Sequence, residues 1–525
     1  MKKSIGIIII KSPKNPVEDQ DPTKYLIYLL KGFIDADIHV SLLCPSWLYQ
    51  DIYNLCDKNY FTLNNKVDIL SPKQIPPAYF INEIYKKLLV KLNSKKASPI
   101  QKFVDRIFIY FGEKMPILMG TSSWISFTNN LIFILVFIPL LMIQQFIVIL
   151  KPAKPQIIIN KNIIRNSIIS IWFTNLYYNI YYTLIENESR KISKIAKKCK
   201  DFDRWIIPTP SCPEVVNSLP NSIFICPDIL FDDFTVGIIT ESSKNYQDGI
   251  IQYRNRLISS LKWAKKIVTY SNSTKQLQLC NYLSVSPDKI SVIPHAPVDL
   301  SNNLDKIHLY QSLNPIEQND LCLQIVHDYF NVCDNPYLRD FDITGVKFLV
   351  YSSQYRVNKN FDTLFRCIYS IIHLRNQPIK LILAANKLDS IPRLTEFINK
   401  NALSMDIIIL SNIPDNVKAA LYHLSTLAIN PSFYEGSFPF TFSEAYSVGT
   451  PSLMSSIPVV METIEDPILR KTMLFDPTNY LDMADKICWG LDNYEQLYNL
   501  QSSLYEKMKS RSWKNVAEDY YNLIV

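Results

Sequence analysis

The chain has 525 residues, 48% of them hydrophobic and 20% charged, with a net charge of +7. That length and balance fit two globular domains, each with its own core, and exclude a disordered chain. Ten cysteines are scattered with no CxxC pair, which argues against zinc ribbons and disulfide scaffolds and for a reducing, cytoplasmic compartment. The charge is unevenly placed: up to Arg204 there are 28 Lys and Arg against 15 Asp and Glu, and after it 27 against 33. A basic first half is expected to face something anionic, either a membrane surface or a phosphorylated acceptor, unless it is only a solvated face.

In chain order, the apolar run at residues 5–10 is too short for a signal peptide and reads as a buried parallel strand. A polar loop, a helical pattern over 24–34 and a second strand at 39–44 follow, the strand–helix–strand rhythm of a doubly wound domain. Asp35-Ala36-Asp37 lies where a helix turns into a strand, a place Asp often fills for structural reasons. Residues 131–150, LIFILVFIPLLMIQQFIVIL, are nearly long enough to span a bilayer but are broken by Pro139, Gln144 and Gln145. A buried core helix, a membrane-dipping helix and a span all stay open. Residues 190–204 form a basic cluster at helical spacing, either a solvated face or a contact for anionic lipid.

Residues 256–297 read as helix, strand, helix and strand, with Ser271-Asn272-Ser273 at the second helix start and His295 at a strand end. Residues 300–343 read as a linker with added helix. Gly345 then opens a second domain: a buried strand, a loop carrying Arg356 and Lys359, and a helix. Two cations there suit a diphosphate. Further on, NPSFYEGSFPFTFSEAYSVGTPSLMS at 430–455 reads as a strand end, a loop opened by Glu435-Gly436, a short helix from Ser443-Glu444 and a turn into another strand. Ser443 is expected to cap that helix, with Glu444 in its first turn. A carboxylate beside a phosphate-holding helix start suits a nucleotide diphosphate, with the carboxylate on the ribose diol. GxGxxG, the Walker loop, HExxH and GxSxG are all absent from the sequence, and nothing in it calls for nucleic acid.

The 430–455 stretch resembles the nucleotide-sugar site of retaining glycosyltransferases of the family-4 type (glycosyltransferase group 1), whose pattern is Glu-Gly, a Pro-containing loop, Glu-Ala and Gly-x-Pro. The two glutamates stand nine apart where the commonest family spacing is eight, so the role of Glu444 carries over more directly than that of Glu435. Arg356 and Lys359 resemble the family's basic pair on the donor diphosphate. Cys226-Pro227-Asp228 resembles its interdomain Pro-Asp motif, which makes Asp228 a weak candidate at the reaction centre. The resemblance implies an α/β chain of GT-B fold, with two Rossmann-like doubly wound domains facing a cleft. Its parts are an acceptor-side domain over 1–299, a linker over 300–343, a donor-binding domain over 344–505 and a returning helix over 506–525.

The implied reaction moves a sugar from a nucleotide diphosphate sugar to an acceptor hydroxyl with retention, without a cofactor or bound metal. Glu435, Gly436, Ser437 and Phe438 would line the donor's sugar and phosphates. Expected partners are the nucleotide sugar, a glycan or lipid-linked acceptor of cell-surface polysaccharide synthesis, and an anionic membrane surface touched peripherally. A GT-B epimerase and a non-catalytic partner subunit are the alternatives.

Overall fold

The computed structural model describes residues 4–10, 21–58, 61, 66–76, 79, 184–199, 204–210, 212–229, 244–308, 310–333, 335–339, 341–385 and 391–524. The apolar stretch 131–150 and residues 200–203 of the basic cluster lie outside these. Among the described residues no helix is long and apolar enough to cross a membrane. The chain divides into two compact units, 1–226 with 238–268 and 520–525, and 227–237 with 269–519.

The first sheet contains β1 (Ser4–Ile8), β2 (His39–Leu43), β3 (Val67–Leu70), β4 (Trp205–Ile207), β5 (Ile223–Ile225), β6 (Lys266–Thr269) and β7 (Ile290–Val292), in the order β3-β2-β1-β4-β5-β6-β7. The paired strands β1 and β2 run parallel, Ser4 opposite His39 and Ile8 opposite Leu43. Ile5, Ile7 and Ile8 are fully buried, as a strand covered on both faces requires. The expected helix is found at Asp21–Asp35, where Leu29, Leu30 and Phe33 are buried at helical spacing. In the turn after it, Asp37 adopts a left-handed φ of 57°, a conformation Asp tolerates, and it pairs with Lys66 at 2.9 Å. Tyr520, near the end of the C-terminal helix Trp513–Ile524, meets the Tyr25 hydroxyl at 2.9 Å, and the Leu523 carbonyl accepts from Arg204 and Lys266.

The second sheet comprises β8 (Phe348–Ser352), β9 (Lys380–Ala384), β10 (Ile407–Leu410), β11 (Leu427–Asn430), β12 (Ser452–Ser455) and β13 (Leu474–Phe475), in the order β10-β9-β8-β11-β12-β13. All of its pairings are parallel. The order reverses direction between β8 and β11, the topological switch point at which doubly wound sheets bind ligands beyond their strand ends. The core forms where Leu349, Tyr351, Leu381, Leu383, Leu427 and Ile429 meet the helix Phe361–Tyr369. That helix places Phe361, Leu364, Phe365 and Ile368 on one face at the 3-4 spacing, each at most 2% exposed. Burying each such side chain contributes about 1.5–3 kcal/mol. Residues 300–343 hold two helices, Ser301–His308 and Pro315–Val332, the second opened by a capping box between Asn314 and Glu317.

Candidate active site

Beyond β8 the chain runs extended to Arg356, makes a single 3-10 turn over Val357–Lys359 and enters the helix Phe361–Tyr369 through Asn360. Asn360 has a left-handed φ of 57°, and its side-chain amide donates to the carbonyls of Pro431 (2.9 Å) and Pro477 (2.7 Å). The side chain of buried Asn358 donates to Tyr434 O at 2.9 Å, and the backbone carbonyl of Asn358 accepts from Phe433 N–H at 2.8 Å. The turn after β8 is thereby fastened to the loop after β11, at the switch point. This brings Lys359 Nζ to 2.6 Å from Glu435 Oε1, with side chains 13% and 16% exposed. The Ser432 hydroxyl donates to the same oxygen at 2.6 Å, and Tyr351, whose pKa burial raises, stands 3.3 Å from Ser432 Oγ. Arg356 is exposed on the same turn.

Gly436 lies where no side chain fits: a Cβ there would sit 2.4 Å from Pro227 O and 3.3 Å from Asp228 Cβ. Asp228 is thus adjacent to the Glu435-Gly436 loop. The carbonyl of Gly436 accepts from Ser271 Oγ at 3.0 Å and Thr274 Oγ1 at 3.3 Å, and Thr274 Oγ1 stands 3.1 Å from the Tyr434 hydroxyl. The turn that makes these contacts donates its Asn272 and Ser273 amides to Glu462, at 3.0 and 2.6 Å. Ser437 is partly exposed, and Phe438 packs edge-on against Phe442 with centroids 5.7 Å apart.

The helix that carries Glu444 spans Phe440–Tyr446, one turn earlier than expected, and Pro439 stands at its N-cap. Ser443 is therefore interior: fully buried, it donates to Phe440 O at 3.1 Å and accepts the Val298 amide at 3.0 Å. Pro439 presets an extended approach and Asn430 binds Thr441 at 3.0 Å, so the turn closes before the serine is reached. Glu444 accordingly sits in the second turn, 8% exposed, with Oε1 2.7 Å from Lys418 Nζ.

Lys418 was not singled out from the sequence. It stands on the helix Asp415–Leu424 amid buried Val417, Ala419, Ala420 and Leu421 and is itself 5% exposed. The available signal was a lysine inside the apolar run VKAAL, which requires a buried counter-charge. Burial first, then the Glu444 carboxylate, raises the pKa of neighbouring Tyr422 well above its usual value.

His295 has a structural setting: its ring lies 4.0 Å from Tyr270, 5.1 Å from Phe440 and 5.9 Å from Trp513. Burial, and secondarily the Arg511 charge, push its pKa down to about 3, so the ring is neutral near pH 7. In the first unit, Lys191 of the basic cluster is committed to buried Glu188 at 3.1 Å, while Arg190 is 66% exposed.

Comparison with known proteins adds a family-model match over part of the chain and a fold. Residues 346–493 match the family model described as Glycosyl transferases group 1. The chain is similar in structure to a glycosyltransferase from Rickettsia africae (TM-score 0.54, 13% identity, covering 99% of this chain and 98% of that one). The sucrose-phosphate synthase of Thermosynechococcus elongatus aligns with TM-score 0.53, 13% identity and coverage of 99% and 98%. Anabaena HepE, solved with UDP and glucose, gives TM-score 0.53, 11% identity and coverage of 99% and 98%. At these identities the likeness establishes a shared two-sheet fold. No curated protein matches the sequence.

Proposed function

With residues 346–493 forming a group 1 glycosyltransferase domain on a GT-B fold, we propose that the protein transfers a sugar from a nucleotide diphosphate sugar to an acceptor hydroxyl, with retention at the anomeric carbon. One observation carries the reading: Lys359 and Glu435 meet at the β8–β11 switch point of that domain, with Arg356 heading the turn that carries Lys359 and Glu444 on the helix that follows Glu435. In the reaction the bond from the anomeric carbon to the diphosphate breaks and one to the acceptor oxygen forms. The acceptor's proton leaves with the nucleotide diphosphate or to solvent. Negative charge grows on the leaving diphosphate, and preorganised cations stabilise it most where water is scarce. Lys359, held by Glu435 and Ser432, and the exposed Arg356 supply that charge without a metal. Glu444 takes the ribose diol. Glu435, the Gly436 and Ser437 backbone and Phe438 border the sugar, and Asp228 stands beside them.

The acceptor is a glycan or lipid-linked acceptor of cell-surface polysaccharide synthesis, reached from the cytoplasmic side by a first unit docked on anionic lipid. The exposed part of the basic cluster supports that docking. The reading is tested by incubating the protein with UDP-, GDP- and ADP-sugars and measuring nucleotide diphosphate release with and without a polyprenyl-phosphate-linked acceptor and with a chelator. Acceptor-stimulated, chelator-resistant release is expected. Isomerised donor without release would mark an epimerase, and binding without turnover a non-catalytic partner; either result overturns the reading.

A further inference from the structure

Lys418 and Glu444 form a charge pair, each at most 8% exposed, whose hydrogen-bonding capacity is only partly used. An ammonium has three protons and a carboxylate two acceptor oxygens. Among the described residues Lys418 Nζ makes one bond, to Glu444 Oε1, and Glu444 Oε2 accepts none. Taking two charges out of water is costly unless further hydrogen bonds complete them. Here the unused capacity is a donor and an acceptor side by side, next to the Glu435-Gly436 loop in sequence and at the β11–β12 crossover in space. The ligand fragment that completes such a set has hydroxyls that both donate and accept. A vicinal diol does this: one hydroxyl donates to the carboxylate oxygen while a diol oxygen accepts from the ammonium.

We infer that Lys418 is a second reader of the nucleotide's ribose, acting with Glu444 as one neutral donor–acceptor unit that selects ribonucleotide over 2′-deoxyribonucleotide donors. The inference rests on the proposed donor site and adds a residue and a selectivity to it. A substrate lacking one of the two hydroxyls leaves a buried charged partner unsatisfied, which is penalised more heavily than the loss of an ordinary contact.

The test is calorimetric binding of UDP, GDP and ADP and of their 2′-deoxy counterparts to the full chain. The wild type is expected to prefer the ribo form of whichever nucleotide binds by about ten- to a hundredfold. Lys418→Met is expected to weaken the ribo form and leave the deoxy form nearly unchanged, so that the ratio collapses toward one. A lysine that only supported the fold would weaken both forms equally and leave the ratio intact, and that result would overturn the inference. Lys418→Gln, which keeps a donor to Glu444 without the charge, guards against a failure of Lys418→Met to fold; it too must lower the ratio. If Lys418 variants retain the wild-type ratio while Glu444→Gln loses it, the donor site stands and only the role of Lys418 falls. If none of the three nucleotides binds the wild type, both fall together.

Discussion

Two lysine–glutamate pairs sit at the two ends of one short segment, Lys359 with Glu435 and Lys418 with Glu444, and they are built differently. The first joins two loops at a switch point, with side chains 13% and 16% exposed and a serine sharing the carboxylate oxygen. The second joins two helices, with side chains 6% and 11% exposed and no other polar partner among the described residues. A loop-borne cation beside solvent can shift from its carboxylate to an arriving diphosphate. A helix-borne cation that is only 5% exposed is held in place, and can only be added to. On the proposed reading, the loop-borne cation serves the leaving group and the more deeply buried pair serves recognition.

The largest expected effect comes from breaking the fixed pair. Lys418→Met leaves Glu444 charged and buried and is expected to destabilise the protein by about 3–5 kcal/mol, read by chemical denaturation. The double substitution Lys418→Met with Glu444→Gln should recover most of that loss. The mobile pair should behave in the opposite way, with a small change in stability and a large one in turnover. Arg356→Ala or Lys359→Met is expected to cost about 1.5–3 kcal/mol of transition-state stabilisation, roughly ten- to a hundredfold in kcat/KM. Unchanged kcat/KM in either folded variant would remove the substituted residue from the site.

Near neutral pH a smaller effect, growing only on acidification, concerns the histidine beside the helix that carries Glu444. The pKa of His295 is lowered from 6.5 to about 3, so between those values the unfolded state binds the extra proton. Stability is therefore complete above about pH 6.5 and falls as the pH drops toward 3, by up to about 1.4 kcal/mol per pH unit. His295→Phe should flatten that part of the stability–pH curve. The smallest effect is at the membrane. Each exposed cation of the basic cluster adds about 1 kcal/mol of attraction to an anionic bilayer, lost as salt shortens the Debye length to a few ångströms. Flotation with anionic liposomes at low salt, reversed at high salt, is expected; flotation that survives high salt would implicate apolar insertion instead.

Much of this was legible in the sequence, for identifiable reasons. Parallel strands covered on both faces read as unbroken apolar runs, and β1, β2 and β8 lie where such runs stand. The Arg356–Lys359 turn was visible because it falls between a buried strand and a helix of strong periodicity. The start of the Phe440–Tyr446 helix was misplaced because Pro439 opens it, and Ser443, which looked like a cap, instead holds the Val298 amide from the buried side. The Asn314–Glu317 capping box at the head of Pro315–Val332 was present in the sequence and passed over in a polar segment. Lys418 was hidden for another reason: a lysine within an apolar helical run becomes meaningful only when its counter-charge is known, and Glu444 lies 26 residues away. The close approach of Pro227 to Gly436 is likewise invisible without coordinates, since it depends on the absence of a Cβ.

The division of labour between the two pairs is tested most directly by comparing the affinities of a nucleoside and its diphosphate, for example uridine and UDP, in the wild type and in Lys359→Met and Lys418→Gln. The account predicts that Lys359→Met weakens the diphosphate and spares the nucleoside, whereas Lys418→Gln weakens both by the same factor, because the ribose is common to them. A Lys359→Met variant that loses nucleoside and diphosphate equally, or a Lys418→Gln variant that loses only the diphosphate, would contradict it.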